Sequence, residues 1–172
     1  MAGKRHTARE MAVQMLYQQD MGGAQLPQVF QAFDLAEFVS REMQAGGKGK
    51  GPKGDRGERE KADAEKAQRR VREAFEHARV LVEGTDRHRE EIDALIRSQA
   101  DNWRLERMPV VDRNILRLAI FEMLHEPEVP KLVVLDEAIE LAKRYGSDQS
   151  SRFINGLLDG LLKQRAFPGS MT

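Results

Sequence analysis

The chain has 172 residues, with 28 basic and 28 acidic side chains and no cysteine. Zero formal net charge argues against indiscriminate attraction to polyanions, and the missing thiol excludes disulfides, thiol catalysis and thiolate metal ligands. No apolar run approaches the roughly 18 residues of a membrane span, and Gln and Glu interrupt any signal-like stretch at the N-terminus, so a soluble cytoplasmic protein without a membrane partner is expected.

Thr7 and Glu10 have capping-box spacing, which predicts a first helix starting there. Ala8, Met11, Ala12, Met15 and Leu16 recur at helical spacing as its core stripe, and Met21-Gly22-Gly23 ends it. Pro27 suits the first turn of a second helix, with Val29, Phe30, Phe33, Leu35 and Phe38 as further core. From Ala45 the glycine-rich "AGGKGKGPKGDRGERE" reads as a flexible loop. Its three Gly-X-Y triplets are far too few for a collagen helix. A third helix is expected over Lys61–Glu83, stopped by Gly84, and a fourth capped by Thr85 or Asp86 with Ile92, Leu95 and Ile96 inside. Pro109 opens a fifth, probed by Val111, Ile115, Leu118 and Ala119 and widened by Leu116 and Ile120, which marks it as central. Pro130 precedes a sixth that Gly146 ends, and a seventh begins near Asp148. No segment alternates with period two for long. The expectation is an all-α fold, a compact bundle of about seven helices forming one domain over residues 1–172, with a flexible insertion at 45–60 after the second helix.

Charge is unevenly spread. Residues 1–9 carry Lys4, Arg5 and Arg9 and no acid, whereas 122–140 carry six acids against Lys131 alone. From 143 to 165 the sign reverses again, so the two chain ends, brought together, make a basic face on a neutral protein. Cations at a helix start oppose the helix dipole; an anionic partner is the simplest reason for them. Arg5, Arg9, Val13 and Tyr17 follow at steps of four along one side of the first helix, a cationic and aromatic strip suited to single-stranded nucleic acid. The plainer alternative is a solvated helix end with Tyr17 half buried. In "DQSSRF", Gln149, Ser150 and Ser151 can donate to phosphates or bases, and Arg152 and Phe153 lie near the free N–H groups of a helix start. Ordinary caps and ordinary core explain those residues equally well.

Catalytic signatures are weak. "HREE" at 88–91 lacks the second histidine of a zinc-protease helix, and no partner spacing makes His77, His88 or His125 a metal ligand. Neither a nucleophile elbow nor a dinucleotide fingerprint is present, so no cofactor and no catalytic residue is assigned. Glu140 and Arg144 have the spacing of a surface ion pair.

Four segments in order carry a family resemblance: Ala8 to Tyr17 ("AREMAVQMLY"), "LERMPVVDRNILRLAIFEM" at 105–123, "VPKLVVLDEAIELAKRYG" at 129–146 and "FINGLLD" at 153–159. Together they resemble the NusB transcription antitermination family. The resemblance implies a non-enzymatic, all-helical protein. It would bind boxA-type RNA of ribosomal RNA leaders with NusE, which is also a small-subunit ribosomal protein, in a complex on RNA polymerase. The family's RNA surface would fall on Lys4, Arg5, Arg9, Tyr17, Gln149, Arg152 and Phe153, and its NusE surface around Glu106, Asp112 and Arg113. A surface charge pair is the alternative for Asp112 and Arg113. The N-terminus is less arginine-rich than in many members, and Asp136 stands where relatives often have asparagine. The alternatives are a helical protein-binding module without RNA specificity, or a homodimer that hides the RNA face. An RNA methyltransferase carrying a similar helical domain is disfavoured, because the chain has neither a catalytic domain nor a cysteine.

Overall fold

The computed structural model describes residues 3–46 and 56–169, all of them in helices, turns or irregular connections, with no strand among the described residues. Helix α1 spans Lys4–Gly22 and starts three residues before the expected cap. The Thr7 amide donates to the Gly3 carbonyl at 3.1 Å, so Thr7 lies inside the first turn and is buried rather than capping it. Gly23 ends α1 with φ 61°, a left-handed conformation that costs glycine little, and its N–H closes on the Gln19 carbonyl. The stripe of Ala8, Met11, Ala12, Met15 and Leu16 is wholly buried, as its spacing requires.

The expected second helix is two. Helix α2 (Leu26–Ala32) has Pro27 in its first turn, and α3 (Ala36–Gly46) starts after an Asp34 carboxylate accepts the Ala36 N–H at 2.9 Å. That local bond competes with a continuous helix and breaks the chain direction. The expected loop at 45–60 falls mostly on residues 47–55, outside the described residues; 45, 46 and 56–60 are helical. Arg56, expected in the loop, pairs with Glu60 at 2.9 Å in the first turn of α4 (Arg56–Arg87).

Gly84 does not stop α4. A Cβ at Gly84 would collide with the Phe121 ring, so the glycine permits close approach of two helices instead of ending one. Thr85 likewise is no cap: its hydroxyl donates to the Leu81 carbonyl at 2.7 Å inside α4. Helix α5 (Arg89–Gln99) and a short 3-10 turn (Leu105–Arg107) lead to α6 (Val110–His125), then α7 (Lys131–Tyr145) and α8 (Ser150–Gln164). Pro109 and Pro130 stand immediately before α6 and α7, as expected. Helix α6 packs against α1, α4, α5, α7 and α8, and every side chain from Asn114 to Leu124 is buried. A helix apolar on all sides belongs at the centre. Of its three buried charged residues, Asp112, Arg117 and Glu122, the latter two lie mid-helix and need partners inside the protein.

Candidate nucleic-acid interface

Arg117 takes Asp93 (2.8 and 3.0 Å) and Asp20 (3.3 Å). Glu122 takes Arg9. The Arg9 Nε donates to Oε2 at 2.9 Å, and its Nη2 donates to Oε1 at 2.8 Å, while Nη1 lies 3.7 Å from Glu137. Arg9 is only 4% exposed. Arg9, expected from the sequence to face phosphate, instead points inward: on a helix whose inner face meets α6, its guanidinium pairs with a buried carboxylate through a two-point bond. His6 and Glu10 also turn inward. His6 lies between Glu137 (2.6 Å) and Glu10 (3.3 Å), and the fully buried Glu10 is held by Arg41 (2.8 Å) and Arg144 (3.0 Å). Arg144 thus leaves Glu140, its expected partner, to Lys143 at 3.4 Å.

Lys4 and Arg5 remain exposed at the start of α1. Lys4 reaches Glu73 at 3.3 Å with both side chains about half exposed, a pair of little energetic weight. Arg5 has no ion pair among the described residues but acts over distance on His77, Glu126 and Glu128. Burial, a hydrogen bond with Glu128 and nearby negative charge push the Glu126 carboxyl up to about 7, and Arg5 opposes this. The same hydrogen bond holds Glu128 below the ordinary range. Burial first, then Arg5, depresses the His77 imidazole.

Tyr17 sits 13 residues beyond Lys4, roughly 20 Å along α1 at 1.5 Å per residue. Its ring is 41% exposed beside Val13, Val111 and Tyr145. The adjoining residues at the α6 start and beyond the α7 end, Asp112 and Ser147, line a second cleft of about 390 Å³ with Trp103, Met108, Pro109, Gln149, Arg152 and Phe153. The Trp103 and Phe153 rings are 5.8 Å apart and tilted by 59°, and Trp103 is 60% exposed. Ser150 folds back to accept the Ser147 N–H at 2.9 Å, which shapes the turn into α8 and leaves Gln149 and Arg152 exposed at its rim. Tyr17 lines one cleft with Val111 and Tyr145, and the α8 start lines another with Asp112 and Ser147, whereas Lys4 and Arg5 lie at the far end of α1.

The three residues expected to face a protein partner separate. Glu106 is exposed, paired with Arg97 at 3.4 Å, and its carboxyl is depressed by its own backbone N–H and then by Arg97. Arg113 turns in to Asp20 (3.2 Å) and the Leu105 carbonyl (3.4 Å). Asp112 is 4% exposed inside the aromatic cleft, with Oδ1 lacking any hydrogen-bond partner. A surface Asp112–Arg113 pair does not form. Two features escaped sequence reading. Trp103 had a visible signal, a large aromatic in the polar connection "DNWR"; Glu122 had another, an acid within the apolar run of α6.

These features define an all-helical protein with an aromatic cleft, an exposed tyrosine and a separate cationic helix end. Residues 6–163 match the NusB family, and the chain belongs to that family. Among curated relatives, the transcription antitermination protein NusB of Myxococcus xanthus is 41% identical over 157 residues, 91% of this chain and 93% of the relative. That of Sorangium cellulosum is 40% identical, covering 91% and 90% respectively. The solved structure of T. maritima NusB superposes with a TM-score of 0.68 at 32% identity, covering 96% of this chain and 95% of that one. A structure of antitermination factors NusB and NusE in complex with dsRNA gives 0.66 at 26% identity, covering 96% of this chain and all of the matched one. No helix among the described residues is long and apolar enough to cross a membrane.

Proposed function

We propose that this chain is an RNA-binding transcription antitermination factor. It holds boxA-type single-stranded RNA of ribosomal RNA leaders jointly with NusE, in a cytoplasmic complex on RNA polymerase, and it catalyses no reaction. The observation that carries this reading is the Trp103–Phe153 cleft with Gln149 and Arg152 at its rim. Unstacked bases find there two ring faces, an amide that both donates and accepts, and a planar cation. Tyr17, exposed in a separate cleft beside Val111 and Tyr145, offers a further stacking surface. Lys4 and Arg5 take phosphates at the other end of α1, roughly 20 Å from Tyr17. Glu106, exposed in the turn before α6, marks the NusE side, and Asp112 and Arg113, turned inward, hold the start of α6 beneath it. Relatives named for antitermination, and a structural neighbour solved with NusE and RNA, support the same reading.

The test is a titration of fluorescent boxA-type RNA, a scrambled strand and a duplex, each with and without NusE, at two salt concentrations. Tighter binding of the boxA strand, strengthened by NusE, is the expected result. With only Lys4, Arg5 and Arg152 as cations on the proposed RNA surface, the log–log salt dependence should be shallow, at about −0.7 per phosphate contact. Equal, weak binding of all three RNAs in every condition would overturn the reading and favour a module that binds protein alone.

A further inference from the structure

A second group of functional side chains lies away from that face, where α4 turns into α5. His88 occupies the corner, Glu91 the first turn of α5, and His125 the last turn of α6. Residues far apart in sequence meet here because Gly84 lets α4 close onto Phe121. The Phe121 ring then lies 6.0 Å from the His88 imidazole and 5.3 Å from that of His125. The two imidazoles stack with centroids 3.9 Å apart. One carboxylate oxygen serves both: Glu91 Oε2 is 3.6 Å from His88 Nδ1 and 3.5 Å from His125 Nε2.

We propose that His88, His125 and Glu91 form a binding site for a late first-row divalent metal of the zinc class. The three donor atoms lie within 4.8 Å of one another. Two ligands at about 2.05 Å from a tetrahedral ion are about 3.35 Å apart, so both carboxylate–imidazole edges need to shorten by only about 0.2 Å. The rings are inclined at 24°, and binding requires them to swing apart so that both in-plane nitrogen lone pairs point at the ion. Two neutral imidazoles and one carboxylate are donors that suit zinc, cobalt or nickel rather than calcium or magnesium, which prefer oxygen ligands. The side chains are a third to a half exposed, so an ion can enter directly from solvent. Glu83 and Arg87 line a cleft of about 220 Å³ with His88 and His125, and the open fourth position is left for Glu83 or for water. A bound ion would staple the α4–α5 corner to the end of α6 and stabilise the folded chain by mass action.

Calorimetric titration with Zn²⁺, and Co²⁺ titration followed by visible absorption, test the site in the full chain. Saturable binding of one ion, tetrahedral Co²⁺ bands and a Zn²⁺-dependent rise in Tm are expected. His88→Gln, His125→Gln and Glu91→Gln should each weaken binding by at least about 10-fold, the least that loss of even an outer-shell partner usually costs. His77→Gln, remote from the cluster, should leave it unchanged. Glu91→Gln preserves size at a half-exposed position, so it keeps the test valid if a histidine variant melts early. Absence of saturable uptake by the unaltered chain, or uptake that survives all three substitutions, would overturn the assignment.

Discussion

The buried junction of α1 with α6 and the cleft at the start of α8 use the same residue types to opposite ends. At the junction, Arg9 and Glu122 are almost fully buried and satisfy each other through two strong bonds. At the cleft, Arg152 stands exposed, Trp103 is largely open, and buried Asp112 has an oxygen without a partner. A cation already neutralised inside the protein cannot also neutralise phosphate. Positive charge in the sequence therefore locates a ligand only after internal partners are subtracted, and that subtraction moves the candidate surface from Arg9 toward Arg152 and the two rings.

The largest effect expected from this contrast is on Arg9→Ala. It strands Glu122 without its partner and should destabilise the chain by about 3–5 kcal/mol, lowering Tm by about 10 °C. Arg9→Met combined with Glu122→Leu should recover most of that loss in a thermal melt. Unchanged stability with abolished RNA binding would break the comparison, because Arg9 would then act on RNA after all.

Removal of a stacking ring comes next. Trp103→Ala and Phe153→Ala should each weaken boxA-type RNA binding by about 1–3 kcal/mol in a fluorescence titration. For Trp103→Ala the stability change should stay within about 0.5 kcal/mol, since the side chain is mostly exposed. If Trp103→Ala lowers Tm sharply and leaves RNA affinity intact, the cleft is structural like the junction.

A smaller effect concerns pH near the end of α6. The Glu126 carboxyl is raised from 4.5 to about 7 in the folded chain, so the folded state holds a proton that the unfolded state has released between those values. Stability from this group is present below about pH 4.5 and falls as pH rises to about 7. Glu128, shifted down, acts in the opposite sense only at lower pH. Glu126→Gln should flatten the fall across that window in denaturant melts; an unchanged pH profile would count against the coupled pair.

The smallest effects belong to Lys4→Ala and Arg5→Ala. Each should reduce the steepness of the log–log salt dependence of RNA binding by about 0.7, with stability shifted by no more than about 0.5 kcal/mol. A salt slope unaltered in both variants would confine RNA contact to the cleft end of the face.

Much of the fold was legible because helix formation leaves local marks. The buried stripe of α1, the prolines before α6 and α7, and the all-round apolarity of α6 follow from side-chain direction and backbone chemistry within a few residues. The same local logic misplaced helix ends wherever a distant group intervened. Gly84 looked like a stop but makes room for Phe121, and Thr7 looked like a cap but is covered by the fold. Among candidate site residues, Gln149, Arg152 and Phe153 meet in one cleft and Tyr17 lines another, while Lys4 and Arg5 stand apart and Arg9 and Arg113 turn inward.

The sequence by itself determined an all-helical chain, its central helix and the family to which its motifs belong, because periodicity, capping and motif order are properties of neighbouring residues. Only the tertiary structure decided which charges are spent. Arg9 finds Glu122, Arg117 finds Asp93, and His88 finds His125 across long stretches of chain. Such pairings depend on how helices pack. An ion's availability to solvent or ligand is set by the burial and partners that packing imposes.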